Sequence, residues 1–214
     1  MEATYQSHAI VCVGDSITYG DTGLGHRTEH PWPELLQSAL GFPVVNCGHN
    51  GASSVDWPHT LEHDLALRSM PNADTLILGL GVNDVYHSEM TTPQQAEEVL
   101  RRVQTIAEEL TAAAGHKVAV CLLSVPQLSE ENPVMCRFGL QGIQRMNPLL
   151  AALNGYFRKA CPALGWHYLN HADAVNGRRD LHGDSIHPNQ DGYDAIAALL
   201  EPQLRKVINS IGIE

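Results

Sequence analysis

The sequence predicts a single α/β domain with a parallel sheet covered by helices on both faces. Three observations lead there. Apolar runs of strand length alternate with helix-length amphipathic segments along the whole chain. The runs are continuous rather than alternating, as strands buried on both faces must be. Polar, glycine-bearing motifs stand just past several of these runs, where an open parallel sheet gathers its ligand-binding residues.

The elements follow in order. Ala9–Val13 is an apolar first strand ending at Gly14, with Ser16 directly beyond it. A loop carrying Gly20, Gly23 and Gly25 runs to about His30. Pro31-Trp32-Pro33 then opens a short helix that Gly41 is placed to end. Pro43–Cys47 is a brief second strand, followed by the turn Gly48-His49-Asn50-Gly51. A helix is expected from near Trp57 to Ser69, stopped by Pro71. Asp74–Leu80 is the third strand and runs into Gly81-Val82-Asn83-Asp84.

Thr92-Pro93-Gln94-Gln95 has the form of a capped helix start. Ala96, Val99, Leu100, Val103, Ile106, Ala107 and Leu110 then fall on one helical face. Glu97 with Arg101 and Glu98 with Arg102 stand at i,i+4 spacing on the wet side. Val118–Leu123 is the fourth strand, and a non-periodic segment from Val125 to Gly142 follows, long enough to suggest a functional loop. Asn147-Pro148 is read as the start of a helix reaching about Ala160. Trp166–Leu169 is the fifth strand. A polar loop leads to Asp184-Ser185-Ile186-His187-Pro188 and a last helix, kinked at Pro202.

Bulk properties narrow the function. A chain of 214 residues suits one domain, 1–214, without staples, burying roughly 70–75% of its unfolded surface. A formal net charge of -11 argues against a nucleic-acid or anionic-membrane partner, which would need a basic face. The five cysteines include no C-x-x-C pair, and Cys12, Cys47 and Cys121 fall in or beside apolar runs. That usage suits a reducing compartment. The polar stretch Met1–Ser7 leaves no room for a signal peptide, and no apolar run approaches the ~20 residues of a membrane span, so a cytoplasmic location is expected.

Ser16 after the first strand, Gly51 after the second, Asn83 after the third, and Asp184 with His187 after the fifth would all open on one sheet edge. Acyl transfer needs this set. Ser16 is a weak nucleophile until a base, here His187, takes its proton, and a carboxylate such as Asp184 must hold the imidazole in the right tautomer. The backbone N–H groups of Ser16 and Gly51 and the side-chain amide of Asn83 offer donors to an oxyanion. Gly48 is a second candidate in the same turn. Serine alone commonly caps helices, and Asp15 and Asp84 read as structural acids. The D-x-x-H pattern also recurs at Asp56 and His59, where Asp56 stands at a helix start, and His182 is a rival to His187. The convergence of the motifs carries the reading.

Gly14-Asp15-Ser16-Ile17, Asn46–Gly51, Gly81-Val82-Asn83-Asp84 and Asp184-Ser185-Ile186-His187 together resemble, in order, the four blocks of the SGNH hydrolases, the GDSL-type esterases and lipases. Ile17 stands where the name-giving sequence has leucine. The resemblance implies a flavodoxin-like three-layer α/β/α sandwich with a five-stranded parallel sheet of order 2-1-3-4-5. It implies hydrolysis of carboxylic or thio esters without a metal or other cofactor. By the same resemblance Ser16, Asp184 and His187 form the catalytic triad, and Ser16, Gly51 and Asn83 the oxyanion hole.

The expected function is therefore that of a serine esterase acting on a small or short-acyl ester. A thioesterase or lysophospholipase with a longer acyl tunnel, lined by 125–142 with Met135 and Phe138, is the alternative. A flavodoxin-like binding module lacks a G-x-x-x-x-G-K-[ST] run. An α/β-hydrolase elbow fails because Thr18 stands where G-x-S-x-G needs glycine. His59 and His63 have metal-ligand spacing, but no H-E-x-x-H pattern accompanies them and no metal is expected.

Overall fold

The computed structural model describes residues 8–23, 25–131 and 138–212. Met1–Ser7 and Met135, singled out above, lie outside them, as does Cys136, one of the five cysteines. Five parallel strands form one sheet: β1 (Ala9–Gly14), β2 (Val44–Gly48), β3 (Ala73–Gly79), β4 (Ala119–Leu123) and β5 (His167–Leu169). Their order is 2-1-3-4-5, as expected. Val11, Cys12 and Val13 of β1 and Leu76, Ile77 and Leu78 of β3 are fully enclosed. A central strand of β-branched and apolar residues between two helical layers has no wet face, which explains its unbroken hydrophobic run.

One face of the sheet carries α2 (Trp32–Leu40) packed on α7 (Gln190–Ser210). The other carries α3 (Leu61–Ser69), α5 (Ala96–Ala114) and α6 (Gly139–Leu164). Helix α2 starts on Pro31 and ends at Gly41, whose φ of 77° is left-handed and so suits glycine. Helix α5 is preceded by the expected Thr92–Gln95 capping box and buries all seven residues of its predicted face. Arg101 pairs with Glu98 rather than Glu97. Arg102 leaves the solvent face and reaches Asp84 and Glu89 as well as Glu98.

Several local expectations change. Ser16–Tyr19 is a four-residue helix, α1, not the beginning of a loop. The segment from Trp57 is split: a 3-10 turn over Trp57–His59 precedes α3, because Thr60, not Asp56, supplies the side-chain cap. Pro71 sits inside a second 3-10 turn, Met70–Asn72, at the helix exit. A further short helix, α4 (Val82–Tyr86), follows β3.

Helix α6 begins two turns before Asn147-Pro148. Asn147 is no cap. Its side-chain amide bonds both ways to the backbone of Leu128, accepting from its N–H at 2.8 Å and donating to its carbonyl at 3.0 Å. Asn154, two turns on, does the same to Val125 at 2.6 and 2.7 Å. The strap after β4 thus satisfies its backbone against side chains of a helix instead of a sixth strand.

Candidate active site

Gly14 at the end of β1 pairs in register with Gly48 of β2 and Gly79 of β3. The three glycines form a row across the carboxyl edge of the sheet. Helix α1 lies down on that row: a Cβ at Gly14 would overlap the Thr18 side chain, and one at Gly48 would overlap the backbone of Thr18 and Tyr19. The side chain of Asn46 fastens the turn, donating to the Thr18 carbonyl at 2.8 Å and accepting from Gly48 N–H at 2.9 Å. Asp15 caps α1 by accepting from Ile17 N–H at 2.9 Å. Burial, and to a lesser extent the Asp84 charge, push the Asp15 carboxyl up to about 7 against the pull of Ile17 N–H and His187. Ser16 is therefore the first residue of a capped turn, where a backbone N–H has no carbonyl of its own helix to bond.

The Ser16 hydroxyl and Nε2 of His187 are 2.9 Å apart. Nδ1 of the same ring is 2.9 Å from Oδ2 of Asp184. A carboxylate only accepts, so Nδ1 carries the proton, Nε2 is left as acceptor, and the serine donates to it. Asp184 has a second task. Its Oδ1 accepts from the N–H groups of Ile186 and His187, both at 2.7 Å, which winds the D-x-x-H turn around the carboxylate.

Burial pushes the Asp184 carboxyl up, but the His187 ring and these two N–H groups outweigh it and hold it below its usual value. Burial pushes His187 down, but Asp184, then Asp21 and Asp15, outweigh it and raise the imidazole above its usual value.

The loop after α1 wraps this turn. Gly23 lies so close to Asp184 that a Cβ there would overlap the carboxylate, and at φ +79° the position disfavours side chains in any case. A Cβ on Gly183 would overlap the Thr22 carbonyl. Tyr193 Oη donates to the Asp21 carbonyl at 2.6 Å, and the Gln190 side chain bonds Thr28 and His30. These loop contacts were not foreseen. They join residues 160 or more apart in sequence, and the glycine spacing was their one visible trace.

Asn83 is buried on α4, and its amide donates to the Ala52 carbonyl at 3.1 Å. An amide nitrogen has two hydrogens, so one remains for another acceptor. This bond ties the Gly51–Ala52 turn to the end of β3. Gly48 N–H is already engaged by Asn46, whereas Gly51 is exposed at φ 75°. Behind Asn83, fully buried Asp84 accepts from both the N–H and the hydroxyl of Ser54.

The rivals are placed elsewhere. Nδ1–H of His182 donates to the Arg178 carbonyl at 2.8 Å. Asp56 accepts from Ser53 Oγ at 2.8 Å. His63 faces Glu109 at 3.2 Å and sets its ring edge against Trp57, while His59 is exposed.

The profile of the GDSL-like lipase/acylhydrolase family matches residues 12–195. The chain belongs to that family, and its class is that of the carboxylic ester hydrolases. A search of curated proteins finds no match. Among solved structures, the chain is similar to a carbohydrate acetylesterase family member from Sinorhizobium meliloti. The TM-score is 0.78 at 20% identity, over 94% of this chain and 99% of that one. A lipase/acylhydrolase from Enterococcus faecalis gives a TM-score of 0.68 at 20% identity, over 94% and 96%. The M. smegmatis aryl esterase gives 0.66 at 17% identity, over 94% and 99%. At these identities the likeness is one of fold.

Proposed function

We propose that the protein is a serine esterase for small or short-acyl carboxylic esters, with Ser16, His187 and Asp184 as its triad. The observation that carries this is the unbroken hydrogen-bonded line from Ser16 Oγ through both nitrogens of His187 to Asp184. In the reaction, His187 Nε2 takes the serine proton as Oγ bonds to the ester carbonyl carbon. The new oxyanion lies among Ser16 N–H, Gly51 N–H and the remaining Asn83 N–H, Gly48 being engaged elsewhere. The imidazolium then gives its proton to the leaving alkoxide. Water, deprotonated by the same ring, releases the acid and restores the serine. The name of one structural neighbour, a carbohydrate acetylesterase family member, agrees with a short acyl group. Four described cysteines, Cys12, Cys47, Cys121 and Cys161, are free and buried, in keeping with a cytoplasmic setting. No helix among the described residues is long and apolar enough to cross a membrane.

A second reading has its own support. A cavity of about 390 Å³ lies between the segment following Asn83 and the start of α6, lined by Val85, Met90, Phe138, Met146 and Leu149 among others. Tyr86 and Phe138 stack edge-on across it at 5.5 Å. An apolar hollow of this size suits a longer acyl chain. A chain-length series of nitrophenyl esters decides between the two. Acetate and butyrate are expected to give the highest kcat/KM, and a maximum at octanoate or beyond would replace the short-acyl reading with the long-acyl one. No turnover on any member, with no fluorophosphonate adduct on Ser16, would remove both.

The raised His187 also sets a pH dependence. The base must be neutral, so activity is lost as pH falls through its pKa. Because that pKa lies above the ordinary ~6.5, kcat/KM is expected to climb with pH and reach half its plateau above that value. A half-plateau point below it, with acylation rate-limiting, would contradict the assignment of the base.

A further inference from the structure

Outside the serine crevice, the chain brings a second set of metal-ligating side chains together. Carboxylate oxygens of Asp56 and Glu89 and a ring nitrogen of His87 all lie within 4.8 Å of one another. They come from two segments, the loop after Gly51 and the exit of α4. Asp56 and His87 are exposed, so their side chains can rotate to close on an ion, while Glu89 is partly buried.

The charge around this cluster is unbalanced. Arg102 is shared among Asp84 at 3.6 Å, Glu89 at 3.4 Å and Glu98 at 3.7 Å. Asp56 has no part of it. The single hydroxyl proton of Ser53 stands between Asp56 at 2.8 Å and Glu89 at 3.0 Å and can serve only one of them. Two guanidiniums, Arg102 and the Arg101 that pairs with Glu98, stand among four carboxylates and neither reaches Asp56, which leaves an excess of negative charge that a divalent cation at the imidazole-bearing corner would neutralise.

We propose that Asp56, His87 and Glu89 are the three protein ligands of a divalent first-row transition-metal ion, with water completing its shell. Two carboxylates and one imidazole form a borderline donor set, suited to Zn²⁺ or Mn²⁺. Mg²⁺ and Ca²⁺ favour oxygen-only shells and fit it less well. The site differs from the His59–His63 spacing visible in the sequence: His63 is turned to Glu109, and neither histidine belongs to the cluster. Its position gives it a mechanical role. Asp56 closes the segment that begins at Gly51, and His87 and Glu89 follow the helix that carries Asn83. The ion would be a further tie between these segments, beside the Asn83–Ala52, Asp84–Ser54 and Ser53–Glu89 bonds. It braces the structure and takes no part in bond making.

The test is calorimetric titration of the intact chain with Zn²⁺, and of its Asp56→Asn, His87→Ala and His59→Ala variants. One saturable site is expected in the parent chain and in His59→Ala, with affinity at least about tenfold weaker in Asp56→Asn and His87→Ala. Hydrogen exchange is expected to slow on Zn²⁺ addition over 52–56 and 83–90 in the parent chain but not in His87→Ala. No saturable binding, or an affinity within twofold of the parent in both ligand variants, overturns the proposal. Loss of binding in His59→Ala alone overturns it too, by assigning the ion to another surface histidine. Because no ester is present, a failure here and a failure of the esterase reading are separate results.

Discussion

Ser16→Ala is expected to lower kcat by about a millionfold, the scale seen when a triad serine is removed. The change deletes one oxygen and leaves the backbone of α1, its Asp15 cap and the Ser16 N–H in place. KM and the unfolding temperature should therefore stay near those of the parent chain. Labelling by a fluorophosphonate should vanish with the activity. Steady-state kinetics beside an intact-mass measurement of the labelled chain check both. A residual kcat within tenfold of the parent would mean that another group attacks the ester, since Ser16 is the serine hydrogen-bonded to His187 among the described residues.

Asp184→Asn is expected to cost about ten-thousandfold in kcat with little loss of stability. The reason lies in the two oxygens of Asp184. Asparagine keeps an Oδ1 that can still accept from Ile186 and His187 N–H, so the turn survives. The other position becomes an NH₂ facing His187 Nδ1. The ring must then accept there and carry its proton on Nε2, pointing at Ser16, where it can no longer receive one. Asp184→Ala should lose the same activity and, in addition, lower the unfolding temperature because both N–H groups of the turn lose their acceptor. The paired variants separate chemistry from scaffold. Should Asp184→Asn keep kcat within tenfold, the carboxylate would be a turn-former alone. Removing the carboxylate also takes away the principal influence raising His187, so any surviving activity should titrate at lower pH than in the parent chain.

The strands and the candidate residues were legible for the same reason. A strand buried on both faces must be apolar throughout, and Ser16, Gly51, Asn83 and Asp184 stand beyond the ends of such runs, on the edge where a parallel sheet gathers them. The capping box at Thr92 was equally plain, because its partners are three residues apart. What escaped was decided by contacts distant in sequence. Helix α1 has too few residues to show a period. Asn147-Pro148 has the form of a helix start, yet Leu128, nineteen residues away, claims the asparagine and leaves the proline inside α6. Arg102 was read as a solvent-face partner of Glu98, but buried Asp84 also draws it inward. That the Asn46 side chain engages the Gly48 N–H was also not legible, because no spacing rule supplies its direction.

The close fit of Gly23 and Thr22 against the Asp184–His187 turn has an implication for redesign. The stretch that borders the crevice is also the outer buttress of the acid. Libraries aimed at new substrates would naturally randomise such a glycine-rich surface loop. On the proposed mechanism many of the resulting clones would be inactive for reasons unrelated to recognition, because any side chain at position 23 would displace the Asp184 carboxylate proposed to orient His187. Diversity is better introduced on the opposite bank, along α6, where selectivity can change without disturbing proton transfer.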